Sequence, residues 1–173
     1  MKRSIAVRLY HKLAFGADGV LWAGTGASNG EGAMRYDGTA WRSYTAALYP
    51  GMFINEIHKV SVGAHNAAWL SSWGYGTTLV DASGEPRRVF NTSSGLPPTL
   101  QIDSNFVVVN GVATDRNGVA WITNRTAGDG TAVVRFRPDS TLDYGVRHQM
   151  RNPDITFTDV VIDQNNTKWF ATY

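Results

Sequence analysis

Four tryptophans impose the strongest constraint on this chain. Trp22, Trp69, Trp121 and Trp169 lie 47, 52 and 48 residues apart, each in the same local setting. An alternating triplet precedes each one: Leu13–Phe15, Val60–Val62, Val112–Thr114 and Val160–Ile162. That alternation has the period of two that a strand requires. Between triplet and tryptophan, at a constant offset, fall Asp18-Gly19, His65-Asn66, Asn117-Gly118 and Asn165-Asn166. These residue types tolerate positive φ, so each repeat is expected to open with a tight antiparallel hairpin closed by a type I′ turn. The strands after the turns are expected at Val20–Thr25, Ala67–Ser72, Val119–Asn124 and Thr167–Thr172.

A second hairpin follows in three of the repeats. It reads Ala33–Tyr36, a turn at Asp37-Gly38, then Trp41–Tyr44; Thr77–Val80, a turn through Ser83-Gly84, then Arg87–Phe90; and Ala132–Phe136, a turn at 138–140, then Leu142–Val146. Glycine (18 residues) interrupts most windows in which a helix would have to form. Four strands in about 49 residues is the unit of a propeller blade. The sequence therefore predicts an all-β fold, a β-propeller of about three four-stranded blades plus half of a fourth. The blade repeats run about 11–45, 58–91, 110–147 and 158–173 within one partial-propeller domain, 1–173. Ser4–Leu9 reads as the outer strand of a preceding blade. The chain is expected to be an excerpt of a longer one, with open blade edges able to self-associate.

Composition removes several classes. Without cysteine there are no disulfides, no Cys-based zinc sites and no thiol nucleophile. A formal charge of +2 makes no case for nucleic acid, and 17% charged residues are too few for a disordered tail. The apolar run after Met1-Lys2-Arg3 is broken by Arg8, His11 and Lys12, so it reads neither as a signal peptide nor as a membrane segment.

Leu13–Thr25 (LAFGADGVLWAGT), Val112–Asn124 (VATDRNGVAWITN) and Val160–Thr172 (VVIDQNNTKWFAT) resemble the two-component regulator propeller repeat. That repeat is built on an apolar strand, Asp-x-x-Gly and Trp-Ile-Gly-Thr. Phe90–Pro97 (FNTSSGLP) is similar to its Gly-Leu-Pro connector. The second repeat departs from the pattern, with Gly63 where the aspartate is expected, and the glycine after Trp-x is kept only at Gly24. The resemblance implies a periplasmic or extracellular sensing region, often for oligosaccharides, or a propeller of the type IX secretion apparatus. A weaker resemblance, to streptogramin lyases, implies a magnesium-dependent enzyme with a histidine base.

Propeller ligands are bound by loops on one rim, which leaves the repeat tryptophans to pack between blades. The rim loops here read Gly26–Gly32, Trp73–Gly76 and Arg125–Gly130. Trp73 and Tyr75 lie outside the repeat and suit stacking on a sugar ring, while Arg125 and Asp129 suit hydroxyls. The competing reading has the loop aromatics folded over a neighbouring blade. The 91–111 connector, with Pro97-Pro98 and Phe106–Val109, reads as a lid, a partner-docking segment or a cover for the blade edge. Its polar residues Gln101, Asp103, Ser104 and Asn105 suit a site without specifying one. Asn91, Asn124 and Asn165 match glycosylation sequons but read as turn residues. No cofactor, metal or catalytic residue is assigned. His58 with Glu56, and His148, are the only histidines that a lyase reading would use, and the chain reads as non-enzymatic. The partner class is an oligosaccharide or a protein.

Overall fold

A computed structural model describes residue 10 and residues 12–26, 31–52, 55–99, 104–127, 129–146 and 156–172. The expected strand Ser4–Leu9 and residues His11, Gln101, Asp103 and His148 lie outside these, as does part of the 26–32 loop. No helix among the described residues is long and apolar enough to cross a membrane.

The strands form antiparallel meanders in chain order. β1 (Lys12–Phe15), β2 (Leu21–Gly24), β3 (Ala33–Tyr36) and β4 (Trp41–Tyr44) form an antiparallel meander in that order. β5 (Ile57–Val62), β6 (Ala68–Gly74), β7 (Thr77–Val80) and β8 (Pro86–Phe90) repeat it. So do β9 (Val107–Thr114), β10 (Ala120–Asn124), β11 (Val133–Phe136) and β12 (Leu142–Asp143). β13 (Phe157–Ile162) and β14 (Lys168–Thr172) form one more hairpin. In each meander the loop from second to third strand and the end of the fourth strand share one end of the sheet. The tight turns occupy the other end.

Two compact units result: Met1–Trp73 with Thr77–Val89, and Gly74–Gly76 with Phe90–Tyr173. Trp22, Tyr44, Ile57, Val60, Leu70 and Val80 form the core of the first, between blades 1 and 2. Trp22 is only 1% exposed. In the second unit, Val133, Val146 and Phe157 pack with Trp121 and Phe170, between blades 3 and 4. The Trp121 and Phe170 rings meet edge to face at 6.2 Å. Each interface repeats one polar contact. The Ala17 N–H donates to Asn66 Oδ1 (2.9 Å) in the first unit, and the Arg116 N–H donates to Asn166 Oδ1 (3.2 Å) in the second. Thus one blade's turn caps the turn of the blade before it.

Three sequence expectations need correction. Only His65 and Asn66 carry positive φ together. At Gly16–Val20, Asp115–Val119 and Asp163–Thr167, an i+3 hydrogen bond closes a type I turn, and the next residue adopts the left-handed conformation. This is the three-residue hairpin loop with a bulge, favoured where a carboxylate can bind the turn amides. Secondly, Val107–Val109 belongs to β9 and is buried on both faces, so it is neither lid nor docking segment. A strand packed on both sides has no reason to alternate. Thirdly, β12 pairs over two residues only, and Tyr144 stands beyond it.

Candidate functional site

The rim carrying the loops between second and third strands is built by local hydrogen bonding. In the first unit, Trp73 lies in the last turn-ward part of β6 and is half-buried. Its N–H donates to the Glu56 carbonyl (3.0 Å), and its ring stands edge-on to His58, centroids 5.5 Å apart at 78°. His58 is 7% exposed. Burying imidazole against indole fixes both rings, and both belong to the same β5–β6 hairpin, not to neighbouring blades.

In the second unit, Tyr75 pairs in parallel with Val107, and the Gly76 N–H donates to the Val107 carbonyl (2.9 Å). The Arg125 N–H donates to the next carbonyl, Val108 (2.8 Å). Tyr75 and Arg125, 50 positions apart in sequence, are thereby anchored on consecutive residues at the start of β9. Both are half-buried. Asp129, in the same loop as Arg125, is exposed. Its Oδ1 accepts from the Thr131 N–H (2.8 Å), and its Oδ2 from the Thr131 hydroxyl (3.0 Å). The structure therefore places Tyr75, Arg125 and Asp129 at one end of blade 3, whereas Trp73 belongs to the first unit.

The connector is fastened to this same blade. Thr99 bridges Ala127, its N–H donates to the Phe106 carbonyl (2.7 Å), and its hydroxyl accepts from the Val108 N–H (3.0 Å). Asn124, wholly buried in β10, donates through Nδ2 to the Pro97 carbonyl. That role removes Asn124 from the turns. Ser104 and Asn105 stand in a turn before β9, and Asn105 Oδ1 accepts from the Thr92 hydroxyl (3.3 Å).

Sequence reading passed over two features. One is Tyr144, which is 41% exposed and donates its hydroxyl to the Gly95 carbonyl (2.8 Å). Burial, then the Asp129 charge, push its phenol above the ordinary value. The other is the second task of the repeat aspartate. Asp115 and Asp163 each bind two amides of their own turn and the indole N–H of the tryptophan six residues on, at 3.0 Å. Among the described residues, no three His, Cys, Asp or Glu side chains gather as a metal site would need. His65 sits in a left-handed turn position.

No protein-family pattern matches this sequence, and no curated protein matches it in sequence either. Solved structures do match in shape. PorZ, a bacterial surface component of the type IX secretion system of Porphyromonas gingivalis, is similar over 94% of this chain and 23% of its own, with 18% identity and a TM-score of 0.67. The extracellular domain of BT4673 from B. thetaiotaomicron, named as a hybrid two-component system, is similar over 91% and 19%, with 16% identity and a TM-score of 0.64. A catalytically inactive virginiamycin B lyase from Staphylococcus aureus, solved with quinupristin, is similar over 99% and 52%, with 12% identity and a TM-score of 0.65. The chain thus spans about a fifth to a quarter of the first two proteins and about half of the third. At such identities the likeness is one of fold. The chain is an all-β propeller segment of the architecture found in two-component regulator extracellular domains and PorZ, the type its repeats resemble.

Proposed function

We propose that this chain is part of an extracytoplasmic recognition module, the sensing region of a two-component regulator, which binds an oligosaccharide through the rim loops. The observation that carries this reading is the anchoring of Tyr75 and Arg125 on adjacent carbonyls of β9, with Asp129 in the same loop. An aromatic ring, a guanidinium and a carboxylate carried at one end of blade 3 offer an apolar face, hydrogen-bond donors and acceptors. The likeness to an extracellular sensor domain supports the setting, and the likeness to PorZ supports a secretion-associated scaffold as the alternative.

A panel of neutral oligosaccharides, titrated calorimetrically against the chain, tests it. Tyr75→Ala and Arg125→Ala should each weaken binding by about tenfold, the loss of one stacked ring or one charged donor. Unchanged affinity in both variants, with the wild type binding, would reject the rim assignment. The lyase-like shape calls for one control: quinupristin with magnesium should be recovered intact after incubation with the chain.

A further inference from the structure

The end of β10, the start of β11 and the end of β12 meet at one end of the blade 3 sheet, because the three strands run antiparallel in sequence order. Tyr144 follows β12 there, and Asp129 lies in the loop between β10 and β11. The Tyr144 ring is fastened at its tip by the 2.8 Å bond to the Gly95 carbonyl, yet 41% of the residue is exposed. A ring so fixed has already lost the rotamer freedom that ligand binding would otherwise remove. Asp129 is exposed and likewise held, by the Thr131 amide and hydroxyl. Among the described residues its oxygens bind Thr131, one bond each, and a second lone pair on each remains for a ligand.

We propose that Tyr144 and Asp129 form a sugar-binding shelf on blade 3, with the Tyr144 ring stacking on a neutral sugar ring and the Asp129 carboxylate accepting hydrogen bonds from its hydroxyls. The inference rests on the rim reading above and adds Tyr144, which that reading does not use. A cationic ligand fits less well, because Arg125 in the same loop opposes the carboxylate's charge, and the chain as a whole carries +2. A sugar ring matches both parts, with C–H groups on one face and donors around its edge.

The test uses the full chain and four probes: maltoheptaose, cellohexaose, xylohexaose and, as the cationic competitor, hexalysine. Binding is read by calorimetry, and folding by thermal melts. The wild type should bind at least one of the sugars. Tyr144→Ala should weaken that binding by about tenfold and Asp129→Ala by about fivefold, whereas Tyr144→Phe, which keeps the ring, should stay within about threefold. Should Tyr144→Ala fail to fold, Asp129→Ala decides the matter. Sugar binding that survives Tyr144→Ala and Asp129→Ala but is lost in Tyr75→Ala overturns the shelf and leaves the rim reading standing. Failure of the wild type to bind any of the three sugars overturns both. Binding of hexalysine alone overturns the shelf in favour of a cationic peptide.

Discussion

Gly76→Ala is expected to lower the unfolding free energy by about 3 kcal/mol or more, the range for a side chain forced into an incompatible backbone. Gly76 immediately precedes β7 and has φ +83°. A Cβ built there would lie 1.9 Å from the carbonyl oxygen of Phe90, which is backbone and cannot swing away. Phe90 is itself fully buried, with its ring 4.7 Å from that of Phe136, so relieving the clash would disturb this packing. Gly38 supplies the control. Its φ is +93°, but nothing lies within 4 Å of its Cβ position, so Gly38→Ala meets only the conformational penalty, about 1 kcal/mol. Urea denaturation of the two variants beside the wild type checks the contrast. Equal losses would mean that the Phe90 carbonyl is not where the structure puts it.

The second large effect belongs to Asp115. Its Oδ1 accepts from the amides of Asn117 (2.9 Å) and Val119 (3.0 Å), and its Oδ2 accepts from the Trp121 indole (3.0 Å). Lys168 of the next blade reaches Oδ2 at 3.1 Å, with its Nζ 5.2 Å from the centre of the Trp121 ring. Four donors therefore converge on a side chain that is 4% exposed. Asp115→Ala leaves the Lys168 charge and the indole N–H without this acceptor, and should cost about 3 kcal/mol. Asp163 makes the same turn and indole contacts but is far more open. Its alanine variant should lose clearly less.

Asp115 also fixes a pH dependence. Burial alone would raise its carboxyl, but the indole, Lys168 and the two turn amides outweigh burial and hold it below the ordinary value. A carboxylate whose folded value lies below its unfolded value, about 4, contributes its full stability above that pH. The contribution is lost as pH falls through the folded value. Asp143, held at about 2 by Arg137 and the Gly145 amide against burial, adds in the same direction. The urea midpoint of the wild type should thus fall between pH 5 and pH 2, and the gap to Asp115→Ala should narrow with it. A gap that stays constant on acidification would show that the ion pair is not the source of the stability.

Much of this fold was legible because the repeat forces one periodicity on four segments. The triplet, the turn and the tryptophan located β1, β2, β10, β13 and β14 to within a few residues. What escaped was set by packing rather than pattern. β9 begins well before its triplet because a strand buried on both faces needs no alternation to mark its start. The turns at 115–119 and 163–167 are held in type I geometry by the carboxylates of Asp115 and Asp163, a side-chain effect that the Asn-containing pairs do not announce. The candidate site was read only in part. Tyr75, Arg125 and Asp129 could be singled out as loop residues foreign to the repeat. Tyr144 looked like a strand residue, because nothing in its sequence context shows that β12 stops at Asp143. Likewise, no pattern links His58 to Trp73, which only the fold brings ring to ring.

The most direct test of the recognition account is an NMR titration of the isotope-labelled chain with the tightest-binding oligosaccharide. The account predicts amide shifts concentrated at residues 73–76, 125–130 and 144–145. The tight turns at 16–20, 115–119 and 163–167 should remain unperturbed. Shifts centred on those turns, or spread evenly over the blades, would contradict it.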